Sequence, residues 1–537
     1  MLFRYLFFTP YITKTCTINK LNRTLSTLPQ LSSEKYGVKR KEFGVLKNDD
    51  LKFFQSLLSN ERVLTDESEV LPFNIDWIKN CRGQSKVVLK PKTTEEVSQI
   101  LKYCNDRQLA VCPQGGNTGL VGGSVPVFDE AGCILENLDN YARERNLIMP
   151  LDLGAKGSCQ IGGNISTNAG GIRLLRYGNL QGTVLGVEAK DNTGYHLKHL
   201  FIGSEGTLGV VTKVAIQCPS LPKSVNLGFF GLESFDAVLQ LYKSAKSSLG
   251  EILSAFEMAD SLSIGTTVKN LKLTDVEHDS DKLSRFLSRE MDSGLIVNGT
   301  VTAEETKMKV LSEKLIPRQM YGSNASSMCF YTCQSIWNIR ESIAAAALDT
   351  GYMFKYDVSV PLRSYYELVH VLRRRLRDVD CKVYGYGHVG EACKLYHETV
   401  LRLKQSIENA ASCSNKREMT LLEKDTVLSS DCLKVINLTK LMVQKLLFNF
   451  SGDGNIHINV VVPEYSKEVY ALLEPFIFEE VSKHKGSISA EHGIGFRKPQ
   501  YIHYSKDQTS LQLMRDMKRI MDPNGILNPY KVLPDMS

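Results

Sequence analysis

Between residues 115 and 209 the chain carries four clusters of glycine: Gly115-Gly116 through Gly122-Gly123, Gly154 to Gly163, Gly170-Gly171, and Gly203 through Gly209. Glycine permits positive φ and lets backbone N–H groups close around an anion. With few Lys or Arg among them, such loops suit a diphosphate held mainly by main-chain donors. The common alternatives fail on spacing: there is no GxxxxGK[ST] loop, and Gly115-Gly116-x-x-Gly119 is not the GxGxxG of a nicotinamide fold. The approach to the first cluster alternates strand and helix. Val87 to Leu89 reads as a strand, Thr93 with Glu96 as a capping box, and Val97, Ile100, Leu101 and Cys104 as one helical face. Leu109 to Val111 then reads as a strand running into PQGGNTGLVGG.

The segments PQGGNTGLVGGSVP (113–126), PLDLGAKGSCQIGGNISTNAGG (150–171), DNTGY (191–195) and GSEGTLGVVT (203–212) resemble the FAD-binding domain of the vanillyl-alcohol-oxidase and FAD-linked D-lactate dehydrogenase family. The resemblance implies an α+β fold, with a two-subdomain PCMH-type FAD-binding domain, a ferredoxin-like α+β substrate domain and a C-terminal helical return segment. It implies that Pro113, Gly115, Gly116, Asn117, Thr118 and Gly119 cradle the diphosphate. Gly163, Thr167, Asn168, Gly170, Gly171, Gly206 and Thr207 would line the flavin. GILNPYKVLP (525–534) resembles the family's closing motif, in which Asn528 and Lys531 return to the flavin domain. No His stands at the usual covalent positions, so the FAD is expected to be non-covalent.

Oxidising an alcohol on flavin requires a proton acceptor for the hydroxyl, a Cα–H aimed at the ring and anchors for the carboxylates. A polar set suited to this lies late in the chain: GYGHVG (385–390), GDGNIHIN (452–459) and SAEHGIGFRK (489–498). His388, His457 and Glu491 offer two imidazoles and a carboxylate, a donor set for Zn²⁺ or a similar divalent metal with positions left open for substrate. His492 is the natural proton acceptor. Taken singly, each histidine is more often a satisfied core or surface residue; the flanking glycines favour a site. These segments resemble the family's metal and substrate motifs, which would make Asn459 and His492 substrate contacts. IRESI (339–343) and FKYDVSVP (354–361) resemble the segments supplying Arg340 and Lys355, two cations that suit a dicarboxylate. GEILSAFE (250–257), MPLDLGAKGSC (149–159) and GFRK (495–498) point within the family to a dehydrogenase of a D-2-hydroxy dicarboxylate. D-lactate or glycolate oxidation, or a flavin-binding scaffold without activity, are the alternatives. The resemblance also implies an electron-transfer flavoprotein as acceptor.

At 537 residues two or three domains are expected. The divisions read as a 1–33 leader, a 34–84 lead-in, an 85–222 FAD-binding domain, a 223–465 substrate domain and a 466–537 closing segment. Helices are expected near Phe235–Tyr242 and Tyr365–Leu372, and over Ser505–Met521, stopped by Pro523 and Gly525. No run of about 20 apolar residues exists to span a membrane. Residues 1–33 carry Arg4, Lys14, Lys20 and Arg23 without an acidic residue, the composition of a mitochondrial transit peptide, and import to the matrix is expected. Without those four cations the net charge falls from +6 to +2, which gives no reason to invoke nucleic acid. The thirteen cysteines lack paired spacing and read as buried free thiols.

The sequence also departs from the family. Residues 391 to about 451 separate GYGHVG from DGNIHIN, and a second unfamiliar stretch, about 311–334, precedes IRESI. Ala344 stands where the family usually carries a Thr. Strands are expected to be missing after VFDE (127–130), between GVEA (186–189) and KDNTGY, and near Asp275. Retained introns and skipped exons would leave this pattern of clean insertions and gaps.

Overall fold

The computed structural model describes residues 28–128, 145–151, 153, 158–171, 173–186, 197–222, 226–232, 234–271, 295–301, 333–390 and 454–534. Most of the expected leader, the unfamiliar stretch at about 311–334 as far as 332, that at 391–451, and most of the three places where strands were expected to be missing lie outside those residues.

In the N-terminal part, α1 (Asn48–Leu58) and α2 (Thr94–Arg107) pack beside a two-stranded ribbon of β1 (Val63–Leu64) and β2 (Val88–Leu89). The Thr93 hydroxyl accepts the Glu96 N–H at the start of α2, and Ile100 and Cys104 face the core as their spacing predicts. The expected strand at Leu109–Val111 is reduced to a single parallel bridge from Val111 to Leu527. Its partner comes from the other end of the chain, so Ile526 and Leu527 join Phe54, Leu58, Leu89, Ile100 and Val111 in one core. A second small core surrounds α3 (Ile161–Ser166) and the pair β3 (Val184–Gly186) and β4 (Ala215–Ile216), built on Ile165, Leu180, Ile202 and Val211.

The remainder is organised on one antiparallel sheet. Its strands are β5 (Asn226–Leu232), β6 (Leu253–Asp260), β7 (Leu295–Val301), β8 (Tyr352–Ser359), β9 (Lys382–His388) and β10 (Asn455–Val462). Their order across the sheet is β5-β7-β6-β9-β10-β8. The helices are α4 (Phe235–Leu249), α5 (Ser261–Asn270), α6 (Cys333–Leu348), α7 (Glu367–Arg375), α8 (Lys467–Leu473), α9 (Phe476–Lys483) and α10 (Gln508–Met521). The helices expected near 235, 365 and 505 are thus α4, α7 and α10, α4 running a turn or two longer than expected and the other two starting two to three residues later.

Strand side chains alternate between faces, and here the alternation separates two chemistries. Met258, Phe354, Tyr356, Val358, Val383, Ile456, Ile458 and Val460 point to one side, where α4, α7 and α9 cover them with Val238, Leu241, Val369, Leu372, Phe478 and Val481. Each such fully buried aliphatic or aromatic side chain contributes about 1.5–3 kcal/mol. The other face carries Glu257, Tyr386, His388, His457, Asn459, Lys355 and Asp357. In register, Glu257 pairs with His388, and His457 with both Tyr386 and Asp357. At one end this second face turns apolar, with Met353, Tyr384 and Val461 packed under Ala347 of α6. At the other end it stays polar and meets the glycine loops.

Candidate active site

A single cavity of about 1080 Å³ runs between the glycine loops and the polar face of the sheet, at the upper end of the range for ligand pockets. Its loop wall comes from 113–124, 158–167 and 205–213. Its other wall comes from Arg340, Glu341 and Ala344 of α6, Lys355, Tyr386, His388 and His457 of the sheet, and Glu491 and His492.

The loop wall is built by close backbone approach. A Cβ on Gly116 would lie 1.9 Å from the Ser158 carbonyl oxygen, so glycine there lets the 113–124 and 158–167 loops touch. Asn117 adopts φ 52°, a conformation Asn tolerates better than most residues. Its side chain is spent on the protein: Nδ2 donates to the Ile75 carbonyl and Oδ1 accepts from Ser124. The backbone of the loop is left for a ligand. Pro113, Gly115, Gly116, Asn117, Thr118 and Gly119 all line the cavity, as do Gly163, Thr167, Gly171 and Gly206. Asn168, Gly170, Thr207 and Asn528 do not. Thr207 donates its hydroxyl to the Ser204 carbonyl. Asn528 donates to the carbonyls of Gly123 and Glu205, and its own oxygen accepts from Lys531 at 2.6 Å. The side chains of Thr207 and Asn528 thus brace the loops.

On the sheet wall, His388 and His457 stand on adjacent strands although residues 391–453 separate them in sequence. The split motif is therefore one site in space. Ligand atoms of His388, His457 and Glu491 lie within 4.8 Å of one another. Behind each histidine sits a buried carboxylate from the next strand. Glu257 contacts His388 Nδ1, while Asp357 Oδ1 lies 3.3 Å from His457 Nδ1. Glu491 lies 3.2 Å from His388 Nε2 and accepts the Gly171 N–H.

The charges are mutually set. Burial pushes the Glu257 carboxyl up, but Arg340 and His388 outweigh it and hold it at about 2. Burial likewise pushes Glu491 up, and His388 brings it down to about 2. Burial pulls His388 down, yet Glu257 and Glu491 lift it to about 10. His492 is pulled down by burial to about 3, against the pull of Asp357, and is neutral at pH 7. Lys355 is lowered to about 8 by burial, partly offset by Asp357.

Arg340 projects from α6 onto the Tyr386 ring, 5.2 Å from its centroid, and donates Nε to Glu257. A guanidinium has five N–H donors, so this pairing does not exhaust it. Lys355 also lines the cavity and makes no ion pair among the described residues. Asn459 is fully buried and does not line the cavity. Its amide donates to the Tyr386 hydroxyl at 3.1 Å, and Tyr386 lines the cavity.

The turn carrying Glu491 and His492 is gripped from two sides. From the sheet, Asp357 Oδ2 accepts the N–H groups of Ala490, Glu491 and His492 at 3.2, 2.8 and 2.9 Å. From the loop wall, Glu205 accepts those of Ile494 and Gly495, each at 2.7 Å. Burial raises the Glu205 carboxyl above its ordinary range, with those two N–H groups opposing the shift. Glu257, Asp357, Tyr386 and Glu205 escaped the sequence reading. Asp357 carried a usable signal, since it stands two residues from Lys355 in a strand-like segment and shares its face.

The profile described as FAD binding domain matches residues 85–130 and 127–199, and that described as FAD linked oxidases, C-terminal domain, matches 221–411 and 397–532. The breaks fall at 127–130 and 397–411, two of the places where the sequence departs from its family. The chain is thus an FAD-dependent hydroxy-acid dehydrogenase of the FAD-linked oxidase class. D-2-hydroxyglutarate dehydrogenase of Danio rerio is 42% identical, over 92% of this chain and 87% of the relative, and that of Bos taurus is 40% identical over 94% and 87%. The D-2-hydroxyglutarate–pyruvate transhydrogenase of Saccharomyces cerevisiae is 37% identical over 94% of this chain and 98% of its own length. The chain belongs to the D-2-hydroxyglutarate dehydrogenase family. Among solved structures, p-cresol methylhydroxylase with substrate bound shares the fold at TM-score 0.61 and 12% identity, over 91% of this chain and 98% of that one. Alkyldihydroxyacetonephosphate synthase does so at TM-score 0.61 and 12% identity, over 91% and 86%. Both support the PCMH-type α+β architecture.

Proposed function

We propose that this chain oxidises D-2-hydroxyglutarate to 2-oxoglutarate, with FAD held non-covalently by the glycine loops and the substrate against the polar face of the sheet. The observation that carries the substrate class is the pair of cations on one wall. Arg340 and Lys355 both line the cavity, and Lys355 makes no ion pair among the described residues. An ammonium so placed is stabilised by an incoming carboxylate. A dicarboxylate engages both cations, whereas D-lactate or glycolate engages one.

Arg340 and Lys355 orient the substrate by its two ends, which fixes the α-carbon between them. His492, neutral and on the cavity wall, accepts the hydroxyl proton. FAD, when bound, supplies the acceptor for the hydride leaving the α-carbon. His388, His457 and Glu491 fit a divalent cation such as Zn²⁺, since two imidazoles and a carboxylate converge within 4.8 Å; bound there, it would lower the pKa of a coordinated hydroxyl. Asn459 acts through the Tyr386 hydroxyl. Electrons pass on to an electron-transfer flavoprotein. The basic, acid-free leader and the word mitochondrial in the names of the vertebrate relatives support import, with the matrix as destination.

The test is an anaerobic absorbance spectrum of purified, Zn²⁺-supplemented protein. D-2-hydroxyglutarate is expected to bleach the flavin bands faster than D-lactate. Equal or faster bleaching by D-lactate would overturn the dicarboxylate reading, and a colourless protein would overturn the flavin reading for this chain.

A further inference from the structure

The cation-binding histidines are each backed by a carboxylate that is their direct cross-strand partner. Glu257 on β6 pairs in register with His388 on β9, and Asp357 on β8 with His457 on β10. The Asp357 side chain is completely buried. Its Oδ1 and the Nδ1 of His457 face one another at 3.3 Å, and neither has another hydrogen-bond partner among the described residues. Two orphaned buried polar atoms so placed satisfy each other if Nδ1 carries the proton. His388 repeats the arrangement, with Nδ1 against Glu257 and Nε2 turned toward Glu491.

We propose that Asp357 and Glu257 are positioning residues. Each holds the proton of its histidine on Nδ1, so that both Nε2 atoms converge with Glu491 on one divalent cation. The proposal rests on the cation reading above and deepens it. Asp357 has a second task that Glu257 lacks. Its other oxygen caps the N–H groups of 490–492, so one carboxylate sets the tautomer of His457 and the location of Glu491 and His492. The His457 and His492 rings lie stacked, 5.5 Å between centroids and 15° apart, with Nδ1 of each near a different oxygen of that carboxylate. Glu257 is linked in turn to Arg340, which ties the substrate cation to the metal histidine through one side chain.

Asp357→Asn separates the two tasks. The three N–H groups of the turn keep an oxygen, so the amide NH₂ is left facing His457 Nδ1. Donor then meets donor, the proton moves to Nε2, and that nitrogen can no longer ligate. Zn²⁺ affinity of the FAD-loaded protein, titrated against a chelating dye, is expected to fall about 10- to 100-fold, with flavin content unchanged. Glu257→Gln is expected to act in the same direction through His388. The Zn²⁺-loaded wild type provides a readout that needs no variant. Its ¹⁵N-histidine spectrum is expected to show two imidazoles ligated through Nε2 with a proton on Nδ1. Ligation through Nδ1, or wild-type Zn²⁺ affinity in a folded Asp357→Asn protein, overturns the proposal alone. A flavin-loaded wild type that takes up no Zn²⁺ removes the cation reading, and the proposal with it.

Discussion

In the proposed reading, Lys355 is the residue whose protonation most directly shapes substrate binding. Burial lowers it from the ordinary lysine value to about 8. Above that pH the cavity loses one of the two cations proposed to meet the substrate. We expect kcat/KM for D-2-hydroxyglutarate, which reports the free enzyme, to fall as pH rises through about 8. Lys355→Arg keeps its charge and should move the fall to higher pH, provided the longer side chain still meets the carboxylate. The sign for stability is opposite. Folded Lys355 releases its proton before the unfolded chain does, so its burial cost is full below about pH 8 and is relieved as pH rises toward the unfolded value. Ala344 gives a second prediction. It lines the cavity one helical turn beyond Arg340, at the position where the family resemblance led us to expect Thr. Ala344→Thr supplies a hydroxyl worth about 0.5–1.5 kcal/mol if it meets the substrate. We expect kcat/KM to rise several-fold in steady-state assays.

At the scale of elements, the polar face of the sheet is held in place by networks that do no chemistry. Asp260 ends β6, caps α5 through the Ser263 N–H, pairs with Arg373 at 2.7 Å and accepts the Gly385 N–H of β9 at 2.9 Å. Asp260→Ala removes a cap and half of a partly buried ion pair, a loss of about 2–4 kcal/mol given that Arg373 retains some solvent. Thermal denaturation should begin several degrees lower, with the flavin spectrum at room temperature intact. This scale also shows what sequence can reveal. The glycine loops and the His-rich segments were legible because their chemistry is compressed into short runs. Glu257 was not: it sits in the apolar strand segment LSAFEMAD, and its partner His388 comes from a distant strand. The strand expected at Leu109–Val111 shrank to one bridge for the same reason, since Leu527 lies at the far end of the chain. Asn459 was expected at the substrate from its motif, and its bond to the Tyr386 hydroxyl could not be read from that motif.

Across the whole molecule, the C-terminal segment closes the cavity from behind. Asn528 joins the Gly123 and Glu205 carbonyls and is itself held by Lys531. Asn528→Ala removes all three bonds, about 1.5–4.5 kcal/mol together. FAD affinity is expected to drop about tenfold, measured by flavin release on dialysis. The departures from the family belong to this scale too. If the insertions and gaps reflect retained introns and skipped exons, transcript reads will skip 391–451 and restore the expected strands; reads running through them would instead make these segments part of the native protein. Either way the site is tolerant of one of them. His388 ends β9 and Asn455 begins β10, and the two are register partners. Whatever joins them changes only the closure entropy, about 2 kcal/mol for lengthening a short hairpin to roughly sixty residues. A chain severed in that connection and supplied as two polypeptides is therefore expected to reassemble, the half that carries His388 finding the half that carries His457 through the β9–β10 pairing.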